Sequence, residues 1–350
     1  MERDGIRFFL EESGIDAAFI EKDENLRYLS GFTGSDSFLL LTKGESYLLT
    51  DPRYTEQAEK EAKGFVVMNH GGKLSLLVAK LLAKAGAKTV GVEENFTWKR
   101  QQAFHEAMPD VALSFCNPDR LRMVKTKEEL QKIREACRIS DEGFRKTVPF
   151  IKAGKTEAEL RSILECAMLE AGSEGKSFDT IVASGWRSAC PHGTATDKVV
   201  EEGDLITFDF GAIYKGYHSD ITRTVAVGHI SDRQRFLYDK VLECLLHVES
   251  LMKAGVRASD TDAEARAFFR KWDLEQYFIH ALGHSVGLEI HEAPVLAARD
   301  KTVLLPDMTE TVEPGVYIPG TGGVRIEDTV AIEKEGISVY TLFPKTFLAV

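Results

Sequence analysis

An α+β fold, a curved antiparallel sheet backed by helices, is what the sequence predicts for residues 118–350, and two observations carry it. The first is a pair of segments that read as copies of one another. Leu205-Ile206-Thr207-Phe208-Asp209-Phe210-Gly211 leads through Tyr217-His218-Ser219-Asp220 into the apolar run Ile221-Thr222-Arg223-Thr224-Val225. Thr311-Val312-Glu313-Pro314-Gly315 leads through Gly323-Val324-Arg325-Ile326-Glu327 into Asp328-Thr329-Val330-Ala331-Ile332. Each copy gives a carboxylate, one residue, glycine, a turn, a second carboxylate and a strand. A hairpin of that kind can bring both acids onto one face of neighbouring strands. The second observation is a set of helix-opening signals. Thr126 with Glu129, Thr156 with Glu159, Ser231 with Gln234 and Thr261 with Glu264 each fit a reciprocal cap. Apolar stripes at helical spacing follow them, such as Leu130, Ile133, Cys137 and Phe144, or Leu237, Val241, Leu245 and Val248. Ala265, Phe268 and Trp272 follow the last signal. These stripes read as core.

Residues 1–117 alternate helix and strand signals, as a smaller α/β domain would. Ala17-Ala18-Phe19-Ile20 reads as a strand, and residues 38–41 pair with 47–50 across Lys43-Gly44. Asp51-Pro52 opens a helix running to Ala62, since proline suits a first helical turn. Residues 73–85 form a Leu-rich helix and 89–92 another strand. The boundary falls at Asn117-Pro118-Asp119, and at 350 residues two domains are the natural prior. This half has no clustered ligand set, so its expected role is packing and dimerisation.

Charge and cysteine usage exclude several classes. Lys and Arg total 44 against 55 acids, a net charge of −11, which argues against a nucleic-acid partner. The 5 cysteines are odd in number and without a CxxC pair, so neither a disulfide frame nor a zinc ribbon is indicated. Cys190, two residues before His192, reads as a small buried hydrophobe, with an oxidisable thiol that disturbs the His192 loop as the alternative. Met1-Glu2-Arg3-Asp4 opens a charged helix rather than an apolar signal, and no run of about 18 apolar residues occurs. The expectation is a soluble cytoplasmic protein with no membrane partner.

The chemistry lies in Asp209, Asp220, His284, Glu313 and Glu327. An unpaired buried carboxylate costs several kcal/mol or takes up a proton. A core with four of them therefore needs compensation, and two divalent cations would nearly balance four carboxylates and a hydroxide. Oxygen-rich ligation with one imidazole suits manganese or cobalt, with zinc as an alternative. His284 sits between Gly283 and Gly287, and His280 and His291 flank it at spacings of four and seven. Arg325 stands two residues before Glu327, on the same face of a strand, where a guanidinium can fix a ligand carboxylate.

The segments FDFGAIYKGYHSDITRT, HALGHSVGLEIHE, TVEPGVYI and GGVRIEDT resemble the pita-bread-fold metallopeptidases, in particular their Xaa-Pro peptidase branch of aminopeptidase P and prolidase. YLSGFTGSDSFLLLT and LLTDPRYTEQAEKEA resemble that branch's N-terminal companion domain, which extends the likeness over nearly the whole chain. The resemblance implies a creatinase-like domain over 1–117 and a catalytic pita-bread domain over 118–350. It implies two divalent metal ions per subunit, most readily Mn2+, with Co2+ or Zn2+ as alternatives. Asp209 and Asp220 would hold one ion, His284 and Glu313 would complete the second site, and Asp220 and Glu327 would bridge. Glu313 would shuttle the proton, while His192, His280 and His291 would face the substrate. Proline-containing peptides would be the substrates and a homodimer the assembly.

Prolidases restricted to dipeptides carry an arginine after the HEAP segment to clamp the substrate's free carboxylate. This chain has Val295 there, with Arg299 nearby. That favours an aminopeptidase P-like cleavage at the N-terminus of longer peptides, with Xaa-Pro dipeptidase as the alternative. A methionine aminopeptidase, a metal-free creatinase-like enzyme and an inactive binding scaffold are the remoter readings; the last two should have lost ligands that are all present here.

Overall fold

The computed structural model describes residues 3–350, so Met1 and Glu2 of the expected charged opening lie outside the described residues; Arg3–Glu12 is helical. The chain divides into two compact units, one ending at Arg122 and one running from Met123 to Val350. The break comes after the Asn117-Pro118-Asp119 segment because the 3-10 turn Pro118–Arg122 is bonded into the first unit. Asn25 donates to Asp119 Oδ1 at 2.6 Å and accepts from Arg122 Nε at 2.8 Å.

The first unit holds a six-stranded sheet in the order Val66–Asn69, Ser46–Thr50, Phe38–Thr42, Ala17–Ile20, Thr89–Val92, Ala112–Phe115. Phe38 pairs with Leu49 and Leu40 with Tyr47, antiparallel, as the hairpin reading expects. The outer strands add in parallel. The helix after Asp51-Pro52 begins later than expected, at Thr55–Glu61, because residues 52–54 form a turn first.

In the second unit, Lys127–Thr147, Glu157–Glu170 and Asp232–Leu251 are helices with the expected reciprocal caps. The fourth helix corrects the sequence reading: it spans Ala258–Arg270, so Thr261 and Glu264 lie inside it. Its first amides are satisfied by remote carbonyls, Ala258 N by Thr302 O and Ser259 N by Asp300 O, both at 2.9 Å. A helix start bonded in that way needs no side-chain cap.

Both carboxylate segments are antiparallel pairs. Leu205–Phe210 pairs with Ile221–Ala226, and Thr309–Val312 with Asp328–Glu333. Each copy has its own helical backing. Phe144 and Leu164 pack with Phe208 and Phe210 under the first, while Val241 and Leu245 pack with Val312 and Val330 under the second. Fully burying a side chain of this size contributes about 1.5–3 kcal/mol. The duplication therefore extends from sequence to core, and the two packed hairpins carry their acids at the ends of their strands. Close approach there excludes side chains: a Cβ on Gly211 would run into the Ser219 carbonyl, and one on Gly283 into the Thr311 carbonyl.

Candidate active site

Asp209 is the fifth residue of its strand, whereas Asp220 immediately precedes Ile221–Ala226. Glu313 immediately follows Thr309–Val312, and Glu327 immediately precedes Asp328–Glu333. The acids thus gather where strands end, and oxygens of Asp209, Asp220 and Glu327 lie within 4.8 Å of one another. His284 Nε2 lies 3.6 Å from Asp220 Oδ2 and 3.5 Å from Glu313 Oε1. All five expected ligand residues face one cavity of 460 Å³, as do His192, His280, His291 and Arg325.

Three of these carboxylates carry a buried oxygen with no hydrogen-bond partner: Asp209 Oδ1, Asp220 Oδ1 and Glu327 Oε1. Burial, then the neighbouring carboxylates, push Asp220 and Glu327 well above the ordinary range. Burial pushes Glu313 up to about 8. His284 adds a sharper mismatch. Its Nδ1 faces the Ser285 carbonyl at 3.1 Å, which can only accept, so Nδ1 carries the hydrogen. Burial and His291 lower the ring to about 4, so it is neutral and Nε2 presents a lone pair to two carboxylates. An imidazole lone pair facing carboxyls that burial would otherwise keep protonated, with bare buried oxygens alongside, forms a donor set that fits divalent cations. Asp209, Asp220, His284, Glu313 and Glu327 are the residues that would hold them.

Neighbouring hydroxyls and one guanidinium fix this set. Thr222 Oγ1 donates to Glu327 Oε2 at 2.7 Å, and Thr311 Oγ1 to Glu313 Oε1 at 3.2 Å. Arg325 Nη2 binds Asp209 Oδ2 at 2.5 Å. Its Nε reaches Thr222, while Nη1 reaches Tyr317 OH at 2.6 Å and the Pro191 carbonyl. Tyr317, Thr222 and Thr311 were missed by the sequence reading, although Thr222 stands two residues after Asp220 and Thr311 two residues before Glu313.

The three further histidines separate. His192 and His291 are exposed to the cavity, and the His291 ring stands 4.4 Å from that of His284. His280 also lines the cavity, and its ring is held: Nδ1 lies 2.7 Å from Ala281 O and Nε2 2.9 Å from Tyr317 OH. With Nδ1 donating to a carbonyl, Nε2 accepts the Tyr317 hydrogen and both nitrogens are taken. Cys190, which caps the end of the 3-10 turn Gly185–Ala189, is exposed rather than buried. Val295 lines the cavity and Arg299 does not; among the lining residues Arg325 is the one guanidinium. Phe178, Ile181 and Ile290 give the wall its apolar part.

A hydrolase built on a cation-binding carboxylate cluster is the class this fold and site define, and the chain belongs to metallopeptidase family M24. The family model matches residues 131–334, and the creatinase/prolidase N-terminal domain matches residues 3–124. The chain is 40% identical to a Xaa-Pro dipeptidase of Pyrococcus furiosus, over 94% of each protein. Among solved structures, it is similar to a Xaa-Pro dipeptidase from Bacillus anthracis, with 42% identity, a TM-score of 0.97 and coverage of 99% of both chains. It also resembles an X-Pro aminopeptidase from Thermotoga maritima, at 40% identity and TM-score 0.89, over 97% of this chain and 99% of that one.

Proposed function

We propose that this metallopeptidase holds two divalent cations and removes the N-terminal residue that precedes proline in a peptide. One observation carries the substrate part. The cavity wall has Val295 where a carboxylate clamp would be needed, and its guanidinium, Arg325, is spent on Asp209, Tyr317, Thr222 and Pro191. A free C-terminal carboxylate would enter without a cationic partner, which costs affinity for dipeptides relative to longer chains.

The chemistry that two such cations bring is Lewis acidity toward the scissile carbonyl and a water. Asp209, Asp220, His284, Glu313 and Glu327 would hold them; manganese is the proposed metal. The remaining steps belong to the chain. Glu313 takes the proton of the attacking water and delivers it to the prolyl nitrogen, which must be protonated to leave as an amine. Burial lowers the basicity of His291, so its neutral N–H can donate to the developing oxyanion, and His192 faces the substrate from the same cavity. His280 holds Tyr317, which with Arg325 keeps Asp209 in place. The acid-rich side of the cavity accepts the substrate's protonated amine. A Xaa-Pro bond lacks an N–H, so a site that grips carbonyl and water instead loses nothing.

A Xaa-Pro dipeptidase is the second reading, favoured by the Bacillus anthracis and Pyrococcus furiosus relatives of that name. Turnover of Xaa-Pro against Xaa-Pro-Xaa at equal concentration separates the two. The tripeptide should have the larger kcat/KM; a strong dipeptide preference refutes the aminopeptidase reading. No helix among the described residues is long and apolar enough to cross a membrane. A cytoplasmic homodimer, with residues 1–117 serving packing and dimerisation, is the assembly proposed.

A further inference from the structure

We propose that Arg223 is a positioning residue that sets the separation of the two carboxylate hairpins, with the last ten residues as its backing. This rests on the two-cation reading above. Along Ile221–Ala226 successive side chains face opposite ways, so Thr222 addresses Glu327 while Arg223 points behind the site. There it is buried, and its whole fork is used. Nη1 donates to Thr222 O at 2.9 Å and to Glu327 O at 2.5 Å. Nη2 donates to Asp328 Oδ1 at 2.8 Å and to Phe343 O at 2.7 Å, and Nε to Phe343 O at 3.1 Å. One planar group therefore joins the strand after Asp220, the backbone of Glu327 itself, and the C-terminal segment.

That segment is held in turn. Leu342 N and Phe343 N donate to Asp141 at 2.6 and 2.9 Å, and the Phe343 ring packs on Phe144 at 4.8 Å. Lys345 pairs with both Asp328 and Glu249. Ala226 N donates to Leu348 O at 2.9 Å, and Val350 N to Ala226 O at 3.0 Å. The strap crosses behind both hairpins, so the distance between Asp220 and Glu327 is fixed from the rear as well as by their own loops. Lysine carries the same charge but presents a single ammonium, which cannot span Thr222 O, Glu327 O and Phe343 O together.

The test is calorimetric titration of the chelator-treated protein with manganese alone, alongside thermal melting. Arg223→Lys should fold, keep its far-ultraviolet circular dichroism and bind at least one ion roughly 10–100-fold more weakly, the range for a lost ligand-supporting contact. Asp141→Asn, which loosens only the strap, should weaken binding in the same direction by less. Leu164→Ala, a core change under the first hairpin, should lower Tm and leave affinity alone. Wild-type affinity in Arg223→Lys, or equal weakening in Leu164→Ala, overturns the proposal. Wild-type protein that takes up no divalent ion overturns the two-cation reading, and this one with it.

Discussion

At the scale of single residues, the site is a problem in charge that its neighbours only partly solve. Thr222, Thr311 and Arg325 occupy one oxygen each of Glu327, Glu313 and Asp209, which leaves bare oxygens converging on one another. Asp220→Ala or Glu327→Ala should therefore abolish turnover and lower bound manganese by more than half; wild-type stoichiometry in both would contradict the bridging assignment. Glu310 poses a different problem. It is buried in Thr309–Val312 and neither carboxylate oxygen has a hydrogen-bond partner. Burial raises its pKa well above the ordinary value. Below the unfolded-state pKa both states hold the proton and the folded state has no ionisation penalty. As pH rises between that value and the raised folded one, the unfolded chain sheds a proton that the native state keeps, and stability falls. Glu310→Leu should remove that slope and stabilise the protein by about 1–3 kcal/mol near neutral pH, the cost of an unsatisfied buried polar group. Denaturation at several pH values reads it, and a gain that does not grow with pH would refute the assignment.

Elements decide which side chains reach the cavity. The loop that carries His192 starts from the 3-10 turn Gly185–Ala189 and is pinned to the first residue of the helix Glu157–Glu170. Buried Glu157 accepts Ser184 N at 2.8 Å and Thr196 N at 3.0 Å, and pairs with Arg187, which also donates to Thr194 O. Glu157→Ala should cost about 3 kcal/mol, as breaking a buried pair does, and raise KM while bound metal stays unchanged. Loss of metal in that variant would mean that the loop supports the ligands and not the substrate side. The convergence of the four acids and His284 was legible in the sequence, because acids at apolar strand positions contradict ordinary burial and the copied spacing repeats the contradiction. Three helix starts were legible for a similar reason: a cap is a local signal. The fourth was not, since Thr302 and Asp300 carbonyls cap it from forty residues away in a way no local pattern records. Tyr317 and the occupied nitrogens of His280 were hidden too, because they depend on which rings meet across strands. The parallel outer strands Val66–Asn69 and Ala112–Phe115 are short and half-exposed, and lack a hairpin partner in sequence that would announce them.

For the molecule as a whole, the two hairpin copies have separate hydrophobic backings and meet at a point of like charge. Their packing draws them together while their carboxylates oppose it. Cations bound there would turn that opposition into attraction, so that binding energy would become folding energy at this seam. At a free-ion concentration one hundred times Kd, a single site stabilises the native state by about 2.7 kcal/mol. Chelation should therefore lower Tm by several degrees, and manganese should restore it. Hydrogen exchange locates the effect: on chelation, protection should fall in residues 205–226 and 309–333 together, since each copy supplies two of the five proposed ligands and His284 the fifth. A loss confined to one hairpin would mean that a single copy holds the metal, and a loss confined to residues 3–122 would remove the cations from this seam altogether.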